Sequence, residues 1–169
     1  MIFVTVGTHE QPFNRLVRYI DQAVEQKIIT NDQVFIQTGY SDYQPKNCQW
    51  RAFVPYSEMI ENVQKADIII THGGPSSFIM PLQIGKIPIV VPRQHRYGEH
   101  VNDHQLEFAK KVNEKYKNLI VVEDINTLGK IIQNYDQIVS KMNAGVLCNN
   151  ANFCRAFEQI ADELVGLKK

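Results

Sequence analysis

The sequence predicts an α/β protein with an open, mostly parallel, six-stranded sheet and helices on both faces. Short β-rich runs alternate about six times with segments of helical periodicity. The run Asp67–Thr71 is apolar without alternation, as expected for a strand covered on both faces. The 169 residues contain no linker or internal repeat, so we expect one domain over residues 1–169.

The predicted strands are short apolar runs, and all but the second are followed by a segment with helical periodicity. They are Ile2–Val6, Val34–Thr38, Trp50–Val54, Asp67–Thr71, Pro88–Val91 and Leu119–Val122. A polar loop from Gly39 to about Asn47 follows the second. We expect right-handed connections between the strands.

Helix ends are predicted from residues with defined capping preferences. Pro12 suits the first position of the first helix, and Ser57 is a candidate N-cap for the second. Pro81 lies inside the helix that Gly85 terminates, so we expect a kink or an early end there. Asp124 is expected to cap the helix after the sixth strand. The core-facing residues of the helix before Gly85 are predicted to be Phe78, Ile79, Met80 and Leu82.

Composition argues against several functional classes. The 18 basic residues balance the 18 acidic ones, which argues against nonspecific nucleic-acid binding and against an electrostatic membrane anchor. The longest apolar runs, such as Ile68–Ile70, are far too short to span a membrane, and we expect no signal peptide. Three cysteines without a paired spacing indicate reduced thiols in a cytoplasmic protein.

Three polar loops are predicted at the carboxyl edge of the sheet, where such folds bind ligands: residues 7–11, 72–77 and 92–104. In the second loop, two glycines allow close approach of a ligand, and Pro75 leaves the N–H groups of Ser76 and Ser77 pointing outward. Together with the helix dipole, these donors form an anion site suited to a diphosphate. The alternative is an ordinary strand-to-helix turn without a ligand.

The other two loops carry side chains suited to phosphate binding and proton transfer. In the first, Thr8 is a candidate phosphate ligand, while His9 and Glu10 are candidates for proton transfer. A solvated turn capped by Thr8 is the alternative there. In the third, Arg93 is a candidate for neutralising phosphate and Glu99 for binding sugar hydroxyls. A solvated polar face is the alternative to this assignment.

Two histidines of the third loop have a spacing that also occurs in metal sites. His100 and His104 are four residues apart on a predicted helix. No further Cys or His has clear ligand spacing, so we expect no metal.

Four stretches occur in an order and spacing that together are specific. They are Phe3–Thr8, Ala66–Gly74, Gly85–Pro92 and Asn102–Gln105. With them the chain resembles the nucleotide-sugar-binding, C-terminal half of GT-B glycosyltransferases of family 28, which is Rossmann-like. It is most similar to the small catalytic subunits of two-component bacterial enzymes for capsular and exopolysaccharide synthesis. It also resembles the cytosolic subunit of the eukaryotic enzyme that adds the second GlcNAc to dolichol-linked sugar.

The resemblance implies a UDP-sugar donor held without a metal or another cofactor. The residues it assigns to the donor diphosphate are Gly7, Thr8, His72, Gly73, Gly74, Ser76 and Ser77. It places Phe53 and Val54 near the uracil, and His104 and Gln105 near the donor sugar. Met80 stands where many relatives have a ribose-binding glutamate, so either Glu99 or another group binds the ribose here, or its hydroxyls bind differently.

The resemblance also implies an activity and a partner. The expected reaction is inverting transfer of a hexose, with galactose favoured, to a lipid-diphosphate-linked saccharide. His72 and Arg93 are expected to stabilise the leaving diphosphate, and His9 or Glu10 is the candidate general base unless the partner supplies it. A membrane-anchored acceptor-binding subunit is expected to hold the cytoplasmic chain at the inner face of the membrane.

Two other functions are alternatives: a non-catalytic, nucleotide-binding regulatory subunit, and a metal-dependent hydrolase using His100 and His104.

Overall fold

The computed structural model describes residues 1–29, 33–142 and 150–165. Within these residues, six strands form one sheet in the order β3-β2-β1-β4-β5-β6, and all pairings are parallel. The strands are β1 (Ile2–Thr5), β2 (Val34–Gln37), β3 (Gln49–Arg51), β4 (Ile68–His72), β5 (Ile89–Val91) and β6 (Ile120–Val121). The predicted α/β class and strand number are therefore confirmed.

Helices lie on both faces of this sheet. They are α1 (Asn14–Glu25), α2 (Tyr56–Lys65), α3 (Pro75–Gln83), α4 (His104–Tyr116), α5 (Leu128–Gln133), α6 (Tyr135–Val139) and α7 (Asn150–Val165). No helix in the described part of the chain combines the length and apolarity needed to cross a membrane.

The central strands are apolar without alternation because both of their faces are covered. Val4 and Ile70 belong to a buried cluster that includes Leu16 and Ile20 of α1. Their neighbours Phe3 and Ile69 point the opposite way and pack in a cluster with Val63 of α2. Since successive strand residues face opposite sides, each residue of these strands enters a core.

The order of the strands creates a ligand-binding crevice. Chain progression runs outward from β1 through β2 to β3, and then resumes on the other side of β1 at β4. The connections therefore diverge between β1 and β4. At this switch point the loops leave the carboxyl edge in opposite directions, which is where open parallel sheets bind ligands.

Two predicted helix starts differ from the structure. Helix α1 begins at Asn14, so Pro12 precedes the helix and does not occupy its first position. Helix α2 begins at Tyr56 with Pro55 at its N-cap, which places Ser57 inside the helix. The N-cap of α1 is Phe13 and that of α2 is Pro55, and neither side chain has an oxygen that could accept a hydrogen bond from the first turn.

Helix α3 continues past Pro81 to Gln83, so it does not end early at the proline, and it stops just before Gly85 as predicted. Gly85 follows with φ of 77° and donates its N–H to the carbonyl of Leu82 at 3.0 Å. Because glycine adopts positive φ without steric cost, it is suited to stop the helix at this position.

The predicted core-facing stripe of α3 is wrong in part. Phe78 and Leu82 are buried against α4, but Ile79 is 43% exposed. Met80 packs on the α2 side instead. Successive residues of a helix are rotated by about 100°, so three consecutive residues cannot share one face.

The segment after β6 is capped as predicted but is divided. Asp124 accepts a hydrogen bond from the Asn126 N–H at 3.0 Å and so caps a short 3-10 turn. The helix that follows is interrupted at Asn134, which separates α5 from α6.

Candidate functional site

A cavity of about 320 Å³ opens at the carboxyl edge of the sheet, beside the switch point. Its lining comes from the ends of β1 and β2, the loop after β1, helix α2 and the start of α3. The lining residues are Thr5, Gly7, Thr8, Gln37, Tyr56, Met59, Val63, Ser76, Ser77 and Met80. The structure thus brings the first predicted loop and the glycine-rich helix start together around one space.

A hydrogen-bond network at the ends of two neighbouring strands forms the floor of this cavity. Thr5 Oγ1 donates to Gln37 Oε1, and Gln37 Nε2 donates to the carbonyls of Gly7 at 3.0 Å and Ala52 at 3.1 Å. The Gly7 N–H in turn donates to Thr5 Oγ1 at 3.2 Å. Sequence reasoning missed Thr5 and Gln37, although polar residues that end apolar strands were an available signal.

The imidazole of His72 separates the two loops that line the cavity. A Cβ added at Gly7 or Gly74 would clash with this ring, so both positions require glycine for space. His72 is buried, and within the described residues its Nδ1 has no hydrogen-bond partner. Burial, followed by the charge of Arg93, lowers the pKa of His72 to about 4. At neutral pH the ring is therefore uncharged.

The start of α3 provides fewer outward donors than its sequence predicts. The Ser77 N–H donates to the Gly74 carbonyl at 3.0 Å, so it is used within the turn and does not point outward. Ser76 is exposed and lines the cavity together with Thr8. The positive end of the α3 dipole remains beside the cavity, with the hydroxyls of Thr8, Ser76 and Ser77 around it.

Gly73 allows the loop after β4 to lie against the start of α4. A Cβ at this position would come 2.8 Å from Gln105 Cβ and 3.1 Å from Pro92 Cβ. Gln105 is buried, and its Oε1 accepts a hydrogen bond from the Arg93 N–H at 3.2 Å. The side-chain carbonyl of Gln105 therefore supports the loop after β5, while the adjacent His104 is exposed.

Arg93 does not contact the cavity, so the prediction that it neutralises phosphate is wrong. Its side chain is fully buried at 0% exposure. Nη1 donates to the carbonyls of Gln11 at 2.7 Å, Pro12 at 3.3 Å and Glu99 at 3.2 Å, and Nη2 donates to that of Val6 at 3.0 Å. Burial lowers its pKa to about 10, so the guanidinium remains charged at neutral pH. The hydrogen bonds of the Arg93 side chain hold the loop after β1 against the loop after β5.

Glu99 is also occupied elsewhere, and the prediction that it binds ribose is wrong. Its two oxygens accept hydrogen bonds from Arg15 Nε and Nη2, both at 2.8 Å, in a buried bidentate ion pair. One of these oxygens also accepts from the Gln94 N–H at 3.1 Å. Buried carboxylates of this kind are paired because an unpaired charge in the interior is costly.

The two residues predicted to lie near uracil come after the end of β3 and so lie outside the sheet. Strand β3 ends at Arg51, whereas the predicted strand extends to Val54. Phe53 is 46% exposed and packs edge-to-face on Tyr40, with ring centroids 5.1 Å apart. Val54 is half-buried. An exposed aromatic pair of this kind has a free ring surface for stacking.

Three histidines, His9, His100 and His104, form a row of neighbouring rings. The ring centroids of His9 and His100 are 4.8 Å apart, and those of His100 and His104 are also 4.8 Å apart. Helix α4 starts only at His104, so the helical spacing predicted for His100 and His104 is wrong, and the preceding loop brings the two rings together. Glu10, the other candidate for proton transfer, is exposed.

The described residues form no group suited to metal ligation, and Cys48 is not a reactive thiol. Across residues 1–29, 33–142 and 150–165, no three His, Cys, Asp or Glu side chains are grouped so as to hold a metal ion. Burial raises the pKa of Cys48 to about 12, so its thiol is protonated at neutral pH. Cys148 lies outside the described residues.

Comparison with known proteins gives two curated relatives of one kind. The chain is 30% identical over 122 residues to UDP-N-acetylglucosamine transferase subunit ALG13 of Homo sapiens, and 29% identical over 121 residues to that of Mus musculus. These matches cover 68% and 67% of this chain but only 10% of each relative, so the chain spans about a tenth of their length.

A solved structure and a family description complete the comparison. The glycotransferase of kitacinnamycin superposes on 82% of this chain and 37% of its own, with 17% identity and a TM-score of 0.48. Residues 1–164 match the family described as the glycosyltransferase family 28 C-terminal domain. Since that match extends over nearly the whole sequence, the chain belongs to this family.

Proposed function

We propose that this chain is a glycosyltransferase subunit that binds a UDP-sugar donor in the cavity between the loop after β1 and the start of α3. The observation that carries the proposal is the convergence of Gly7, Thr8 and Ser76 around a space of about 320 Å³, in a member of this family. The matched relatives are named as UDP-N-acetylglucosamine transferase subunits, which supports a UDP-sugar as donor.

In this proposal the diphosphate is held mainly by dipoles and hydroxyl groups. Arg93 is committed to backbone carbonyls and Arg15 to Glu99, so neither arginine turns its charge to the cavity. The α3 N-terminus and the hydroxyls of Thr8 and Ser76 are the groups that line it. Preorganised dipoles stabilise charge that develops on a leaving group, so we expect transfer without a metal or another cofactor.

The two ends of the donor are assigned to separate features. Phe53 and Val54 receive the uracil, with the pair of Phe53 and Tyr40 as the stacking surface. Met80 lines the cavity but its thioether is only a weak acceptor, so the ribose hydroxyls must bind other groups. His104 and Gln105 lie at the start of α4, on the side of Gly73 where we place the sugar.

The proposed reaction is an inverting hexosyl transfer. A hydroxyl oxygen of the acceptor attacks the anomeric carbon, the bond from that carbon to the β-phosphate oxygen breaks, and UDP leaves with the electron pair. We propose galactose as the donor sugar, with GlcNAc, the sugar in the relatives' names, as the competing choice. The proposed acceptor is a lipid-diphosphate-linked saccharide of capsular or exopolysaccharide synthesis, presented at the inner membrane face by a membrane-anchored partner subunit.

Calorimetry and a UDP-release assay test this proposal. The protein, alone and with its partner, is titrated with UDP, UDP-galactose and UDP-GlcNAc, and UDP release is measured with a lipid-linked acceptor. Removing one hydrogen bond to a charged group costs about 1.5–3 kcal/mol, so Ser76→Ala is expected to weaken UDP binding about 10- to 150-fold. Ser140→Ala, at an exposed serine of the helix α6 end, is the matched control.

The outcomes separate the proposal from its alternative. Absence of UDP-sugar binding by the wild-type complex would refute the donor site. Normal transfer by a complex in which Ser76→Ala or His72→Gln has altered nucleotide affinity would favour the regulatory subunit.

A further inference from the structure

Four of the five histidines in the chain gather at one edge of the sheet. His72 lies beneath the glycine loops, and the row of His9, His100 and His104 extends from there to the exposed start of α4. The next residue, Gln105, lies against Gly73. The proposed function places the donor sugar on this side of Gly73, so under that proposal His104 is next to the sugar.

Hydrogen bonds to Asn102 determine which nitrogen of His104 carries the proton. The backbone N–H of His104 donates to Asn102 Oδ1 at 3.2 Å, which identifies that atom as the carbonyl oxygen. His104 Nδ1 lies 2.8 Å from the same oxygen. Because a carbonyl oxygen only accepts, Nδ1 must carry the hydrogen, and in the neutral ring Nε2 has a free lone pair.

The other two rings of the row have the opposite tautomer. His9 Nδ1 accepts from the Gln11 N–H at 3.2 Å, and His100 Nδ1 accepts from the Asn102 N–H at 3.4 Å. In the neutral state both rings therefore carry their hydrogen on Nε2 and can donate it. His9 therefore cannot act as the base, because its Nδ1 accepts a hydrogen bond and its Nε2 already carries a proton.

We propose that His104 is the catalytic base of the proposed transfer and that Asn102 is its positioning residue. The inference rests on the proposed function. The Nε2 lone pair takes the proton of the acceptor hydroxyl as its oxygen bonds to the anomeric carbon and UDP leaves. His104 becomes an imidazolium and then returns the proton to water. General-base catalysis of this type contributes about 10²–10⁴-fold in rate.

The ring beside His104 does not oppose a positive charge that forms on His104 during the reaction. His100 is the neighbouring ring, and burial, His104 and His9 lower its pKa. His100 therefore stays neutral at neutral pH and does not oppose the charge that forms on His104. The charge of Arg93 also acts on His100 in the same direction.

Two measurements on the protein test the inference. Ring-nitrogen NMR of the protein labelled with ¹⁵N-histidine is expected to show the Nδ1–H tautomer for His104 and the Nε2–H tautomer for His9 and His100. UDP release by the complex with its partner is expected to fall about 10²-fold or more in kcat for His104→Gln, with the donor Kd unchanged and partial rescue by imidazole. Asn102→Ala is expected to lower kcat less and to shift its pH profile. His95→Gln, at the histidine outside the row, is the control.

The results distinguish failure of this inference from failure of the proposed function. A wild-type kcat for His104→Gln, or an Nε2–H tautomer at His104, would overturn the assignment of the base while UDP-sugar binding stands. If the wild-type complex neither binds nor turns over a UDP-sugar, the proposed function fails and the assignment fails with it.

Discussion

Replacing Glu99 with glutamine removes a negative charge from a buried ion pair while keeping the shape of the side chain. In the wild type, Glu99 accepts two hydrogen bonds of 2.8 Å from Arg15, and the two side chains are only 5% and 12% exposed. After the change, an amide group faces a guanidinium whose charge has no partner carboxylate. Removing one partner of a buried pair costs about 3–5 kcal/mol, because the other charge stays buried without compensation.

Urea denaturation measures this loss, and a second arginine–glutamate pair supplies the control. Glu58 receives two hydrogen bonds from Arg51, at 3.0 and 2.8 Å, but this pair is exposed to solvent. Glu58→Gln is therefore expected to cost about 0–1 kcal/mol. For Glu99→Gln the midpoint of thermal unfolding is expected to fall by about 6–20 °C, at about 2–4 °C per kcal/mol for a chain of this size.

The same variants test whether Glu99 binds the ribose, a role that its ion pair with Arg15 contradicts. Replacing both Arg15 and Glu99 with methionine is expected to recover much of the lost stability, since well-packed apolar residues replace buried pairs at little cost. Equal losses in Glu99→Gln and Glu58→Gln would refute the reasoning. A stable Glu99→Gln protein that had lost UDP affinity would also refute it, because that result would indicate that Glu99 binds the ribose.

Three further predictions concern stability. Gly7→Ala places an alanine at a φ of 76° and adds a Cβ that clashes with His72. Strained backbone alone typically costs about 1 kcal/mol, so urea denaturation is expected to show a larger loss in the free energy of unfolding. The folded-state pKa of His72, about 4, lies below its ordinary value of 6.5, so stability is full above pH 6.5 and is lost as the pH falls toward 4. Denaturation across that range is expected to show a smaller loss in His72→Gln than in the wild type. Tyr135→Phe removes the 2.6 Å hydrogen bond to the buried Ile87 carbonyl and is expected to cost about 1–3 kcal/mol by the same assay, whereas a loss below about 0.3 kcal/mol would contradict this role.

Local signals predicted the scaffold because they act over a few residues. The apolar run that becomes β4 and the arrest of α3 near Gly85 depend on the chemistry of neighbouring side chains and on allowed φ values. Errors arose where two local signals competed, as at Pro12 and Ser57, where either residue type has a preferred place at a helix start.

By itself, the sequence determined the α/β class, the six strands, the glycine-rich turn into α3 and the grouping of polar loops at one edge, since each depends on periodicity or on short-range backbone limits. Only the tertiary structure decided what the charged and ionisable side chains of those loops do. Arg93 contacts the carbonyl of Val6, 87 residues away, and Glu99 pairs with Arg15 across 84 residues. The role of such a side chain depends on which atoms the fold brings within hydrogen-bonding distance and on how much water it excludes, and no local pattern encodes either quantity.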